Sequence, residues 1–156
     1  MVKKYFLLMI LIISIPTDCG AQPQYLNYSA HDFYGAYKIN SFKKLPECFP
    51  SATQQKAQIN SKKKVILNNK KFIDIWGEVK NPSYHITQLT PEREEIVYPK
   101  YLQRLFEING TYYDQITFLS IRDPAEDYFY ERLEIIDEHT LLLEDGCWVY
   151  TLKRIK

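Results

Sequence analysis

The sequence predicts a mainly β domain: about eight antiparallel strands in a meander that closes into a barrel, with one helix inserted at about 91–107. Three observations carry that expectation. Aromatic residues are unusually frequent, with 13 Tyr and 8 Phe in 156 residues, and Tyr favours half-buried pleated surfaces. Short segments of alternating apolar and polar residues recur, each bounded by turn-forming residues. The final segments follow one another through very short connections, which suit antiparallel neighbours.

Taken in order, Gln22 to Asp32 is polar and reads as irregular. Tyr34 to Phe42 alternates as a first strand, with Tyr37 and Ile39 on one face. Two prolines mark Leu45 to Pro50 as a loop, and Ser51 to Gln58 reads as a short helix with Ser51 as N-cap. Lys63 to Leu67 is a strand ending at Asn68-Asn69, a pair that tolerates the positive φ of a tight hairpin. Lys71 to Trp76 leads back, with Phe72, Asp74 and Trp76 on one face and Ile73 and Ile75 on the other. After Asn81-Pro82-Ser83, Tyr84 to Leu89 resumes as a strand.

Thr90-Pro91 opens the inserted helix. Thr caps it, Pro suits the first helical position, and Glu92, Glu94 and Glu95 meet the positive end of the macrodipole. Tyr98, Tyr101, Leu102, Leu105 and Phe106 follow at the spacing of one buried helical face. Pro99 kinks or divides it. Four strands then close the chain, at Gln115 to Arg122, Tyr128 to Asp137, Thr140 to Glu144 and Cys147 to Ile155. Their turns are Asp123-Pro124, Glu138-His139 and Asp145-Gly146. Eight such strands close readily into a barrel, because closure removes exposed edges.

Length allows one domain, and 46% apolar with 25% charged residues is the balance of a folded chain. The first 21 residues read as a signal peptide of bacterial type. Lys3 and Lys4 form its positive end, and Tyr5 to Ile15 is an apolar run. A bilayer span needs about 20 apolar residues, and this run stops at Pro16-Thr17-Asp18. Cys19-Gly20-Ala21 then offers a cut before Gln22. The alternative makes Cys19 the lipidated first residue of an anchored lipoprotein, although Asp18 beside it is atypical of such sites. In the first case residues 22–156 form a single periplasmic or secreted domain, which meets the membrane only through its transient signal.

Removing the signal leaves Cys48 and Cys147, an even pair in an oxidising compartment, and a disulfide between them is expected. The alternative is two buried thiols. Net charge is +1, which argues against nucleic acid as a partner. The charges are nevertheless segregated. Basic residues dominate from Lys38 to Lys80, and acids dominate from Glu92 to Asp145. Either two faces of opposite sign result, or neighbouring strands pair the charges and cancel them.

The Gly35-Ala36-Tyr37 start, the up-and-down strand plan and the basic closing strand with Arg154 resemble lipocalin-like barrels. The resemblance implies that Tyr37 packs against Arg154, as a first-strand Trp packs against a late basic residue in that group. It covers architecture and a few residues. Here Tyr stands for Trp, a helix interrupts the strands, and no second lipocalin motif is present.

His31, His85 and His139 have no ligand-spaced partner, so no metal site and no cofactor are expected. No Gly-x-Ser-x-Gly elbow occurs, and an enzyme is not expected. Asp74 beside Trp76 is the one candidate acid. Tyr37, Asp74, Trp76, Tyr84 and Trp148 are the candidates for ligand or partner binding, set against ordinary aromatic core packing. Two functional expectations follow. One is a non-enzymatic exported binding protein, such as an inhibitor or immunity protein whose acidic half meets a basic enzyme or toxin. The other is a carrier of a small apolar ligand within the barrel.

Overall fold

The computed structural model describes residues 28–45, 53–89, 108, 110, 116–126 and 128–156. The expected signal segment, Ser51, Cys48 and the expected helix at 91–107 lie outside the described residues. Among those described, nine strands form one antiparallel sheet: β1 (Gly35–Lys44), β2 (Lys64–Leu67), β3 (Lys71–Ile73), β4 (Glu78–Lys80), β5 (Ser83–Leu89), β6 (Ile116–Asp123), β7 (Tyr128–Asp137), β8 (Thr140–Asp145) and β9 (Trp148–Arg154). Their order across the sheet is β4-β3-β2-β1-β9-β8-β7-β6-β5. Every spatial neighbour is a neighbour in sequence except β1 and β9, where the last strand returns to the first. This is the expected meander, curled into a half-barrel.

Three ladder irregularities help the curl. They fall between Ile39 and Ser41, between Ile121 and Arg122, and between Ile135 and Asp137. An unpaired residue bends its strand and raises local twist. The edges, β4 and β5, are joined in sequence by Asn81-Pro82 but share no ladder. A side chain ties β5 to the β2–β3 turn, and a backbone bond holds the end of β4 to the start of β3. The Tyr84 hydroxyl on β5 donates to the Asn68 carbonyl (3.0 Å), and Asn81 N–H donates to the Lys70 carbonyl (2.7 Å), with Asn81 at φ +50°.

The ninth strand arises where alternation was expected to continue. Lys71 to Trp76 was read as one strand, yet β3 stops at Ile73. Asp74 Oδ1 accepts from Trp76 N (2.7 Å) and Gly77 N (2.9 Å), and Asp74 N donates to the Gly77 carbonyl (3.1 Å). Asp at the first position and Gly at the fourth is a turn signature, and here it reverses the chain into β4. Trp76 therefore does not share an inward face with Phe72. It is 46% exposed, whereas Phe72 is fully buried.

Other turns also differ in detail. Asn68-Asn69 uses no positive φ. Instead Asn68 Oδ1 accepts from Lys70 N and Lys71 N, both at 2.9 Å, so the side chain substitutes for a backbone turn. The last hairpin turns on Gly146-Cys147, one residue later than expected, since Asp145 pairs with Trp148. Gly146 takes φ +60°, the first-position glycine of a type II′ turn. The short helix α1 (Gln54–Asn60) is capped by Thr53, whose hydroxyl accepts from Lys56 N (3.2 Å), in place of the expected Ser51. That start lets Ala57 and Asn60, three apart, face inward.

Both faces of the sheet are covered. Leu119, Ile121, Leu133, Leu141, Leu143, Tyr150 and Leu152 belong to the larger core with Tyr37 and Phe72. Ile116, Phe118, Leu142 and Val149 form a second cluster, which Ile108 joins. On β6, β8 and β9 the two sets alternate in sequence and so occupy opposite faces. This explains why Thr140 to Leu143 is buried without interruption.

One end of the larger core is closed by a short 3-10 turn, Ala30–Phe33. Tyr37 donates its hydroxyl proton to the Phe33 carbonyl (2.9 Å), and the Arg154 guanidinium lies 5.6 Å from the Tyr37 ring centroid. Arg154 also donates to the Asp32 carbonyl and to the Tyr34 carbonyl (3.2 Å). Gly35 makes room for it. A Cβ there would lie 3.3 Å from Arg154 Nε, at a φ of +156° that L side chains rarely adopt. Gly35→Ala is therefore expected to destabilise the fold by about 1–2 kcal/mol, measured by urea unfolding. An unchanged midpoint would show that Arg154 gives way without cost.

Candidate functional site

The sequence candidates divide into two groups. Tyr37, Tyr84 and Trp148 are architectural. Tyr37 supports the closing turn, and Tyr84 links β5 to the β2–β3 turn while packing its ring 5.6 Å from that of Tyr34. Trp148 is 6% exposed and meets Phe42 edge-on at 5.6 Å. Asp74 and Trp76 instead occupy the β3–β4 turn, and residues the sequence reading did not select gather beside them.

Asp74 is 4% exposed, and its Oδ2 has no hydrogen-bond partner. The Tyr130 hydroxyl on β7 reaches Oδ1 at the limit of a hydrogen bond, 3.5 Å. Its ring meets Phe72 edge-on at 5.9 Å. Loss of hydration pushes the Asp74 carboxyl up, against the opposing pull of the Gly77 and Trp76 amides, the Tyr130 hydroxyl and the charge of Lys63. Lys63 itself donates to the Ile75 carbonyl (2.5 Å).

Glu131, next along β7, is half-buried. Desolvation pushes its carboxyl up to about 8, outweighing the Arg132 amide, and Asp74, Glu144 and Asp145 add like-charge repulsion. Glu131 shares sequence parity with Leu133 and Ile135, both core residues, so the pleat directs it to the same face. Extending the β7–β8 register, in which Glu134 opposes Leu142, carries Glu131 towards Asp145. Asp145 Oδ2 accepts from Asn60 Nδ2 of α1 (3.4 Å), and Asn60 also approaches the buried Tyr150 hydroxyl. Carboxyl groups from three elements thus gather near one end of the sheet, Asp74 and Asp145 each close enough to Glu131 to repel its charge. Among the described residues no three His, Cys, Asp or Glu converge closely enough to ligate one metal ion.

The basic half is arranged differently. Lys38 on β1 stands opposite both Lys64 on β2 and Lys153 on β9, and Lys71 stands opposite Lys80. Like charges in register repel, so these strands concentrate positive charge rather than cancel it. Lys38 flanks Tyr37 on the opposite face of β1, which separates the lysine row from the acidic mouth.

No family model, curated protein or solved structure matches the chain. Functional inference therefore rests on the site's own chemistry.

Proposed function

We propose that this chain is an exported, non-enzymatic binding protein that recognises a basic protein partner through the mouth formed by the β3–β4 turn, β7 and the end of β8. In this reading the signal peptide is removed before Gln22, Cys48 pairs with Cys147, and the partner is an enzyme or toxin held inactive. The observation that carries it is the exposed Trp76 two residues from Asp74, whose buried Oδ2 has no hydrogen-bond partner. An exposed aromatic anchor next to unsatisfied charge suits a protein interface, and the acidic field would speed encounter with a basic partner.

A carrier of small apolar ligands is the second reading, favoured by the Tyr37–Arg154 pairing that lipocalin-like barrels imply. The interior weighs against it. Tyr37, Tyr150, Phe33, Phe72 and several leucines and isoleucines are fully buried there, so the chain's own side chains occupy space a ligand would need.

The mature protein, immobilised, should retain a basic protein from periplasmic extract at about 150 mM salt and release it at high salt. Trp76→Ala should abolish retention without altering the circular dichroism spectrum. Retention of nothing, or equal retention by the variant, would count against the reading. Co-purifying lipid found by extraction and mass spectrometry would favour the carrier.

A further inference from the structure

We propose that the Asp74–Glu131–Asp145 mouth is a binding site for one organic cation, a guanidinium or ammonium group presented by a protein side chain. The source of that cation rests on the partner reading above; the site rests on the buried, unpartnered Asp74 oxygen, on Tyr130 reaching Asp74 from β7, and on the register that carries Glu131 towards Asp145. Asp74 Oδ2 is a carboxylate oxygen more than nine-tenths buried and without a donor, an arrangement that is costly unless a donor is supplied. Nearby donors are already engaged. Lys63 donates to the Ile75 carbonyl and reaches Asp74 only through its charge, Asn60 donates to Asp145, and the Trp76 and Gly77 amides serve the other oxygen of Asp74.

The shape of the acid set selects the class of cation. The three carboxyl groups do not close to ligand distances around a metal ion, whereas a guanidinium spreads five N–H donors over a plane and can bond separated acceptors. Trp76, 46% exposed, and Tyr130 add aromatic faces suited to a cation. Glu131 must lose its proton to pair with the guest. The groups bearing on it are Asp74 from the turn and Glu144 and Asp145 from β8, with the Arg132 amide opposing them. Lys63 bears on Asp74 from the α1–β2 connection, and the Tyr130 hydroxyl from β7. Binding is therefore coupled to proton release.

N-acetyl-L-arginine amide is the probe, titrated into the mature protein and followed through the Trp76 indole and Gly77 amide signals in ¹H–¹⁵N spectra. Saturable binding is expected with a Kd in the millimolar range, about 10 mM or tighter at pH 8. The citrulline analogue, which has the same outline without charge, should not bind. Affinity should fall at least about tenfold from pH 8 to pH 6, because the guanidinium does not titrate in that range. Asp74→Asn and Glu131→Gln preserve shape and the turn acceptor, and each should weaken binding about tenfold or more. Equal binding of the citrulline analogue, an unchanged affinity in both variants, or no saturation would overturn the site. Cation binding without capture of any basic protein would overturn the partner reading and leave the site standing. Capture without cation binding would do the reverse.

Discussion

At pH 8.5 the Glu131→Gln protein should unfold at a higher urea concentration than the wild type, and the two should converge near pH 4. Between about pH 4.5 and pH 8 the unfolded chain carries Glu131 ionised while the folded chain keeps it protonated, since burial pushes the carboxyl up to about 8. Folding then takes up a proton, so stability is lost as pH rises through this window and levels off above it. A shift of that size corresponds to about 4–5 kcal/mol. Partial solvent access at the mouth reduces the expected effect to about 2–3 kcal/mol. Asp74, also raised by desolvation, adds a loss of the same sign. The glutamine cannot ionise, so the difference between the two proteins isolates Glu131. Parallel stability curves from pH 4 to 9 would show that this side chain is hydrated in the folded state.

The meander was legible because period-two alternation and turn residues agreed over β5 to β9, where each strand was placed to within two residues. Agreement failed at Asp74. Alternation carried the third expected strand through to Trp76, but a carboxylate three residues before Gly77 offers the backbone two acceptor bonds, and these outcompete two further strand positions. The same oversight hid β4 and put Trp76 on the wrong side. Asp74 was singled out for a place beside an inward Trp76, whereas the structure leaves Trp76 exposed and buries Asp74 in the turn.

Glu131 was overlooked for a different reason. In Tyr128 to Asp137 charged residues occupy both parities, with Glu131 aligned with Leu133 and Ile135, and Glu134 aligned with Arg132 and Ile136. Glu134 is itself 5% exposed, so polarity could not distinguish an inner face from an outer one. What would have flagged Glu131 is its parity with two core residues, a local clash between charge and pleat. Tyr37 meeting Arg154 was anticipated correctly, because a register fixed by closure of the last strand on the first places both near the same sheet end.

With Cys48 paired to Cys147 as proposed, reduction should lower stability by about 4 kcal/mol, the largest effect expected of any single bond. The Cys48–Cys147 bridge would close a loop of about 100 residues, for which chain entropy assigns roughly 4.7 kcal/mol before strain. Support comes from the end of β1. Leu45 N donates to the Cys147 carbonyl (2.8 Å), so the backbone three residues before Cys48 already lies against the Gly146-Cys147 turn. The three residues that follow Leu45 in sequence can span at most about 10 Å, a length compatible with the proposed bridge. Thiol titration of the protein recovered from the periplasm and unfolded in urea should find no free thiol in the mature chain. Cys48→Ser should lose as much stability as reduction and gain no further loss from reductant. Two titratable thiols would remove the bridge. Stability would then depend on the covered faces of the sheet alone.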